Sequence, residues 1–316
     1  MLTEKFRPAT LDDVVGQPHI VKSLKRYAAK GNCPHMLFAG PAGTGKTTCV
    51  IAFAKDLYGE EFWRNNVKEM NASDSRKIDD VRGPIKEFAG NSPIGDADFK
   101  ILFLDEADNL TPDAQAAMRR IIEKYSDTTR FILTCNYPNK IIAPIHDRLA
   151  TFRFKPVPSK DVNLIVRKVA KENDVDIEDG AIDRISSYSK GSVRKALTTL
   201  NQLCLATDKI EIADVIRVLG DGDLTWVRDM VSSCFNGDYN KAEEILFEQY
   251  YVNGITVQEI LSEMYENIKG SQLTNNAKWT LYDMIGETDF YLTQGTNELL
   301  QVRCLLSNIA KLAGGQ

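Results

Sequence analysis

Apolar residues in the first half of the chain fall into short unbroken runs: Met36-Leu37-Phe38-Ala39, Ile101-Leu102-Phe103-Leu104 and Phe131-Ile132-Leu133. A strand covered on both faces reads this way, whereas a strand with one wet face alternates. Between the runs the spacing turns helical. Strands are predicted over 36–39, 67–70, 100–104, 130–134 and 151–154, and helices over 17–29, 46–58, 78–88 and 112–125. Thr111 is placed to cap the last of these helices, with Pro112 at its first position. Strand and helix in strict alternation predict an α/β fold with a doubly wound parallel sheet, whose ligand lies at the C-terminal strand ends.

Strand signals stop after Lys155-Pro156-Val157-Pro158. Helical patterns follow at 159–173, 179–189 and 192–207, with Gly191 separating the last two. A second helical block runs from 223 to 314, broken near Gly237, Gly254, Gly270-Ser271 and Gly295. The pattern divides the chain into an α/β domain at 1–155, a small helical lid at 156–220 and a helical C-terminal domain at 221–316.

Composition narrows the class. The 316 residues are 43% hydrophobic and 26% charged, ordinary for a globular protein. No run of about 18 apolar residues suggests a membrane span. The N-terminus lacks the apolar core of a secretory signal, so a cytoplasmic protein is expected. The six cysteines are dispersed and the three histidines isolated, which predicts reduced, packed thiols and no metal site of cysteine and histidine. The net charge of −5 is uneven: residues 1–155 carry 23 Lys and Arg against 20 Asp and Glu, while 156–316 carry 16 against 24. A nucleic-acid-binding face is therefore sought in the N-terminal part.

The strand at 36–39 runs into Gly40-Pro41-Ala42-Gly43-Thr44-Gly45-Lys46-Thr47-Thr48, which fits G-x-x-x-x-G-K-[ST] between a strand and a helix. Glycines there let the backbone N–H groups and the helix N-terminus face a phosphate chain. Lys46 is expected to reach the β- and γ-phosphates of ATP, and the Thr47 hydroxyl to bind Mg²⁺. Asp105, at the tip of the strand at 100–104, is placed to hold Mg²⁺ through water. Glu106 beside it is suited to orient and deprotonate the attacking water. Asn136 ends another strand, where it positions the same water or senses the γ-phosphate. Taken alone, Asn136 before Tyr137-Pro138 reads better as a turn residue.

Glu4-Lys5-Phe6-Arg7-Pro8, Asp12-Asp13-Val14-Val15-Gly16-Gln17, the glycine-rich loop, Asn71-Ala72-Ser73-Asp74, Phe103 to Asp108 and Thr111 to Ala117 occur in the order of the sequence boxes of the replication factor C small subunits, which this chain resembles strongly over about residues 3–200. That family comprises AAA+ clamp-loader ATPases. The resemblance implies an AAA+ P-loop domain, a lid and an oligomerising helical collar. It implies that Glu4, Lys5, Arg7, Val15 and Gly16 line the adenine side, and that Arg194, on the lid, closes over the ATP of its own subunit. Arg148 corresponds to an arginine finger that acts in trans on a neighbour's γ-phosphate.

The chain departs from the family pattern at three places. The family's Ser-Arg-Cys is Asp147-Arg148-Leu149, Ala42 stands where proline is usual, and Ser75-Arg76-Lys77 replaces Glu-Arg-Gly. Asp147 is expected to hold Arg148 back through a local ion pair. These changes suggest a diverged second small subunit working beside another.

The resemblance further implies loading of a ring-shaped sliding clamp onto primer-template DNA, in a hetero-oligomer (a pentamer) with the large subunit and other small subunits. Arg76, Lys77, Arg82 and Lys86 on one predicted helix, and Arg119, Arg120 and Lys124 on another, are the candidates for contacting DNA phosphates. Nothing in the pattern suggests base reading, so contacts should be salt-sensitive and sequence-independent. An alternative is an ATP-binding structural subunit that supplies Arg148 to a neighbour with little turnover of its own. A branch-migration helicase would need a basic winged-helix module at the C-terminus, where only helices without a basic face are read.

Overall fold

The computed structural model describes residues 1–73, 78–95, 97–219 and 225–314, with residues 78–82 (Arg82 among them), 225, 313 and 314 described by their backbone alone. The DNA-contact candidates Arg76 and Lys77 lie outside the described residues. The chain divides into two compact units, Met1–Val218 and Leu219–Gln316.

The first unit opens with α1 (Leu2–Lys5) and α2 (Pro18–Lys30). Five strands follow: β1 (Met36–Ala39), β2 (Val67–Asn71), β3 (Lys100–Asp105), β4 (Thr129–Cys135) and β5 (Ala150–Arg153). Connecting them are α3 (Lys46–Asn66), α4 (Ile78–Gly90), α5 (Pro112–Lys124) and the short α6 (Ala143–His146). The strands form one sheet in the order β2-β3-β4-β1-β5, and every pairing is parallel.

The unbroken apolar runs are explained by the two sides of this sheet. Leu37, Leu102, Leu104, Phe131 and Leu133 pack on one side with Ile85, Met118, Ile122 and Ile145. Their neighbours Met36, Phe38, Ile101, Phe103 and Ile132 pack on the other with Leu24, Val50 and Phe53. Successive strand side chains point to opposite faces, and both faces are dry. Thr111 caps α5 by accepting from Ala114 N, and Pro112 occupies its first position.

The short helices α1 and α6 have no counterpart in the sequence pattern, and further elements differ from expectation. α3 continues beyond residue 58 because the chain passes through Gly59 at φ 76° and resumes a helical path to Asn66; only glycine takes that φ readily. After Pro158 the chain forms α7 (Ser159–Lys171), α8 (Asp179–Ser189) and α9 (Val193–Ala206), as read, and also α10 (Ile212–Leu219), which the sequence pattern does not predict. It also forms a parallel pair, β6 (Asp176–Ile177) with β7 (Lys209–Ile210). Two residues per strand are too few to display an alternating pattern.

The second unit is built from α11 (Thr225–Phe235), α12 (Tyr239–Phe247), α13 (Val257–Gly270), α14 (Asn275–Thr293) and α15 (Glu298–Gly314). It has its own core, which includes Met230, Leu246, Ile260, Met264, Leu281, Val302 and Leu306. Thr256 and Glu259 form a reciprocal capping box at the start of α13.

Candidate nucleotide site

Parallel pairing brings the C-terminal ends of β1, β3 and β4 together, and the site is assembled there. The pocket holds about 450 Å³ and is lined by the glycine-rich loop, the strand tips, the N-terminal segment and helices α7 and α9. Among the residues proposed from sequence, Glu4, Arg7, Val15, Ala42 through Thr48, Asp105, Glu106, Asn136 and Arg194 all line it. Gly40 and Pro41 act from behind. Lys5 and Gly16 stand outside the lining: Lys5 Nζ donates to Asn173 Oδ1 at 3.0 Å, and Gly16, at φ 79°, packs on Val157.

Lys46 is 8% exposed. Its ammonium donates to the carbonyls of Gly40 (2.7 Å) and Pro41 (2.9 Å) and to Asn136 Oδ1 (2.8 Å). Burial lowers its pKa from the ordinary lysine value, while Asp105 works in the opposite direction. The three acceptors aim the charge along the loop, and β4 supplies one of them.

Asp105 is held by two hydroxyls. Thr47 Oγ1 donates to its Oδ2 at 3.0 Å, and Thr134 Oγ1 donates to its Oδ1. The Glu106 N–H is shared between Thr134 Oγ1 (3.0 Å) and Asp105 Oδ1 (3.2 Å). Glu106 itself has φ 54° and ψ 42°, a left-handed conformation that non-glycine residues adopt under local constraint. Its carboxylate accepts from Ser73 Oγ and from Asn109 Nδ2 (3.1 Å). Asp108, 8% exposed, accepts from the backbone N–H groups of Asn136 (3.2 Å) and Tyr137 (3.0 Å), so it fixes the loop that presents Asn136.

Thr134, Ser73, Asn109 and Asp108 carry no role in the sequence reading. Thr134 was findable in principle: β3 pairs with β4 so that Leu104 lies beside Leu133, which puts Asp105 next to Thr134. That inference needs the strand order, which no local motif states.

The lid meets the loop directly. Val193 N donates to Gly43 O at 3.0 Å, and Ser192 caps α9 by accepting from Lys195 N. A Cβ on Gly43, where φ is 76°, would fall 2.0 Å from Ser192 Oγ. Arg194 follows immediately and so enters the pocket. Apolar Phe6, Val14, Leu164 and Leu197 complete the wall, giving a flat ring somewhere to lie opposite the polar loop.

Thr47 and Asp105 suit Mg²⁺. No group of three or more acidic, histidine or cysteine side chains able to hold a metal exists among the described residues. A cation here would therefore take few protein ligands and complete its shell with phosphate oxygens and water, as Mg²⁺ does at phosphate sites.

Arg148 lies outside this pocket, in the turn between α6 and β5. Its Nη1 donates to Pro144 O at 2.9 Å and its Nη2 meets Glu123 on α5. The expected pair with Asp147 is not formed: Glu123, reached across from the neighbouring helix, is the carboxylate that Arg148 contacts. A local turn places adjacent side chains on diverging directions, whereas packing of α5 beside α6 converges them. Of the remaining DNA-contact candidates, Lys86 is exposed on α4, and Arg119, Arg120 and Lys124 are exposed on α5.

Residues 36–157 match the model of the ATPase family associated with various cellular activities, and residues 225–308 match that of the replication factor C C-terminal domain. The chain is 41% identical over 309 residues to a replication factor C small subunit of Methanococcus maripaludis, covering 98% of both chains. It is 41% identical over 310 residues to that of Archaeoglobus fulgidus, covering 98% of this chain and 97% of the other. Among solved structures, the Thermotoga maritima RuvB Holliday junction branch migration motor aligns at TM-score 0.58 and 18% identity, over 82% of this chain and 85% of that one. At that identity the likeness concerns the fold.

Proposed function

Because the chain belongs to the replication factor C small-subunit family of AAA-type ATPases, we propose that it binds ATP with Mg²⁺ in the pocket between loop, strand tips and lid, and hydrolyses it to drive loading of a sliding clamp onto primer-template DNA. The observation that carries this reading is the joint placement of Lys46, Thr47, Asp105, Glu106 and Asn136 at three adjacent parallel strand ends.

The loop N–H groups and the N-terminus of α3 bind the phosphate chain. Lys46 lies against the β- and γ-phosphates, keeping Asn136 beside it. Mg²⁺, when bound, neutralises charge on the phosphate oxygens. Thr47 and Asp105 would hold it, with Thr134 fixing the carboxylate. Glu106 takes a proton from the attacking water, for which its carboxylate must leave Ser73 and Asn109. Asn136 orients that water from the β4 tip. Arg194 senses the phosphates from the lid, and Arg148 reaches the γ-phosphate bound by a neighbouring subunit. Apolar Phe6, Val14, Leu164 and Leu197 receive the base, with Glu4, Arg7 and Val15 at its edge.

Assembly with other replication factor C subunits, a ring-shaped clamp and DNA completes the reading. Lys86, Arg119 and Arg120 are proposed to track DNA phosphates without reading bases. The test is Lys46→Ala in the reconstituted complex: ATP turnover by this subunit and clamp loading should both be lost, and unchanged rates sink the reading. Glu106→Gln in this subunit alone separates an active ATPase from a structural subunit. Turnover of the complex falls by this subunit's share in the first case and stays constant in the second.

A further inference from the structure

Arg148 is anchored at its backbone and poised at its side chain. Leu149 beside it is buried and Ala150 enters β5, with Ala150 N donating to His35 O at 2.8 Å. The guanidinium, by contrast, is positioned by two partners among the described residues, the Pro144 carbonyl and the Glu123 carboxylate, and the side chain stays 31% exposed. Glu123 belongs to the last turn of α5, whose Ile121 and Ile122 are buried in the core. It cannot follow the guanidinium away from this surface.

We propose that Glu123 is a positioning residue for Arg148: it docks the guanidinium on its own subunit and so sets how often that group is free to reach a phosphate held by a neighbour. The inference rests on the reading of Arg148 as a group acting in trans. A guanidinium carries its donors in one rigid plane, and the two terminal nitrogens form the fork that grips a phosphate. Here one of those nitrogens donates to Pro144 O and the other to Glu123, so turning the fork toward a neighbour's phosphate competes with both contacts.

Arg119 makes the release reversible. Its Nε donates at 3.2 Å to the same Glu123 oxygen that Arg148 contacts. When Arg148 swings out, Glu123 keeps a cationic partner and no carboxylate is stranded. An exposed pair of this kind is weak, so the docked state is a modest majority and not a lock. The competing ligand has to be a stronger anion than one carboxylate, which a nucleotide phosphate with its several oxygens is.

The test uses the reconstituted complex with Lys46→Ala in this chain, so that its own site is silent and the turnover measured belongs to neighbouring sites. Without DNA and at about 50 mM salt, Glu123→Gln should raise ATP turnover about two- to fivefold. That ratio should fall toward one as salt is raised, because screening releases the wild-type pair as well. Glu123→Gln combined with Arg148→Ala should turn over at the rate of Arg148→Ala alone. If Arg148→Ala lowers turnover but Glu123→Gln leaves it unchanged or lowers it, the docking role is wrong while the trans role of Arg148 stands. If Arg148→Ala itself changes nothing, the reading of Arg148 fails, and the docking role fails with it.

Discussion

The glycine-rich loop and the Arg148 turn sit at opposite ends of one strand pair, β1 with β5, and they are built on opposite principles. At the loop end, Lys46, Thr47, Asp105, Glu106 and Asn136 are each fixed by at least one further group. Lys46 has three acceptors and Asp105 two hydroxyl donors. At the other end, a single exposed carboxylate and one carbonyl hold Arg148. The lesson is about where motion is allowed. A site that must present the same geometry at each turnover is wired in a buried environment, where each hydrogen bond counts for more. The trans role proposed for Arg148 fits its weak, solvated contacts, which leave a group able to reach another molecule.

The sharpest way to break this contrast is Arg148→Ala. Removing a finger supplied in trans should lower hydrolysis at the neighbouring site by about 10³-fold or more, on the scale seen for GTPases, while the thermal midpoint of the isolated chain stays put. A large loss of stability would show that the turn is structural after all. Phe38→Ala, in the strand under the loop, should do the reverse. Deleting a fully buried ring should destabilise the first unit by about 3–5 kcal/mol, read by denaturant unfolding.

Thr134→Val tests the wiring itself at nearly constant volume. It removes the donor to Asp105 and the acceptor for Glu106 N, and turnover should fall about ten- to a hundredfold, with nucleotide affinity little altered. Equal loss in affinity and rate would mean that Thr134 merely shapes the pocket.

An effect confined to acid pH lies at the base of the same strands. His35 accepts from Phe131 N at 3.1 Å through Nδ1. Burial first, and the Arg130 charge second, push its pKa down to about 4 from 6.5. The folded state therefore favours the neutral ring. Its stabilisation is full above the unfolded value and is lost as pH falls from about 6.5 through about 4. Unfolding midpoints measured across that window should decline in the wild type and decline less steeply in His35→Asn.

Much of the phosphate-binding half was legible in the chain. The glycine-rich loop is contiguous, and Asp105 and Glu106 follow an apolar run that could only be a covered strand. What stayed hidden depends on contacts between distant segments. Ser73 reaches Glu106, and Glu123 reaches Arg148 across 25 residues. Neither pairing has a spacing that a helix or a strand would announce. The expected Asp147 pair fails for the same reason: Asp147 and Arg148 are adjacent in sequence, but Arg148 meets Glu123 on the neighbouring helix instead. Lys5 and Gly16 are a milder case, since they support the N-terminal segment that lines the pocket without facing it.

The pairing of β1 with β5 also has a mechanical meaning. Met36 aligns with Ala150 and Ala39 with Arg153, so the loop leaves one end of a four-residue ladder and the Arg148 turn enters at the other. Each strand spans about 13 Å at ~3.3 Å per residue, inside a sheet packed on both sides. The ladder is a ruler. If subunits are joined through Arg148, the spacing between one nucleotide and the next is set by a part that does not stretch. Any change of pitch along the row must then be taken up elsewhere, at the Lys155–Pro158 connection to the lid and at the guanidinium itself.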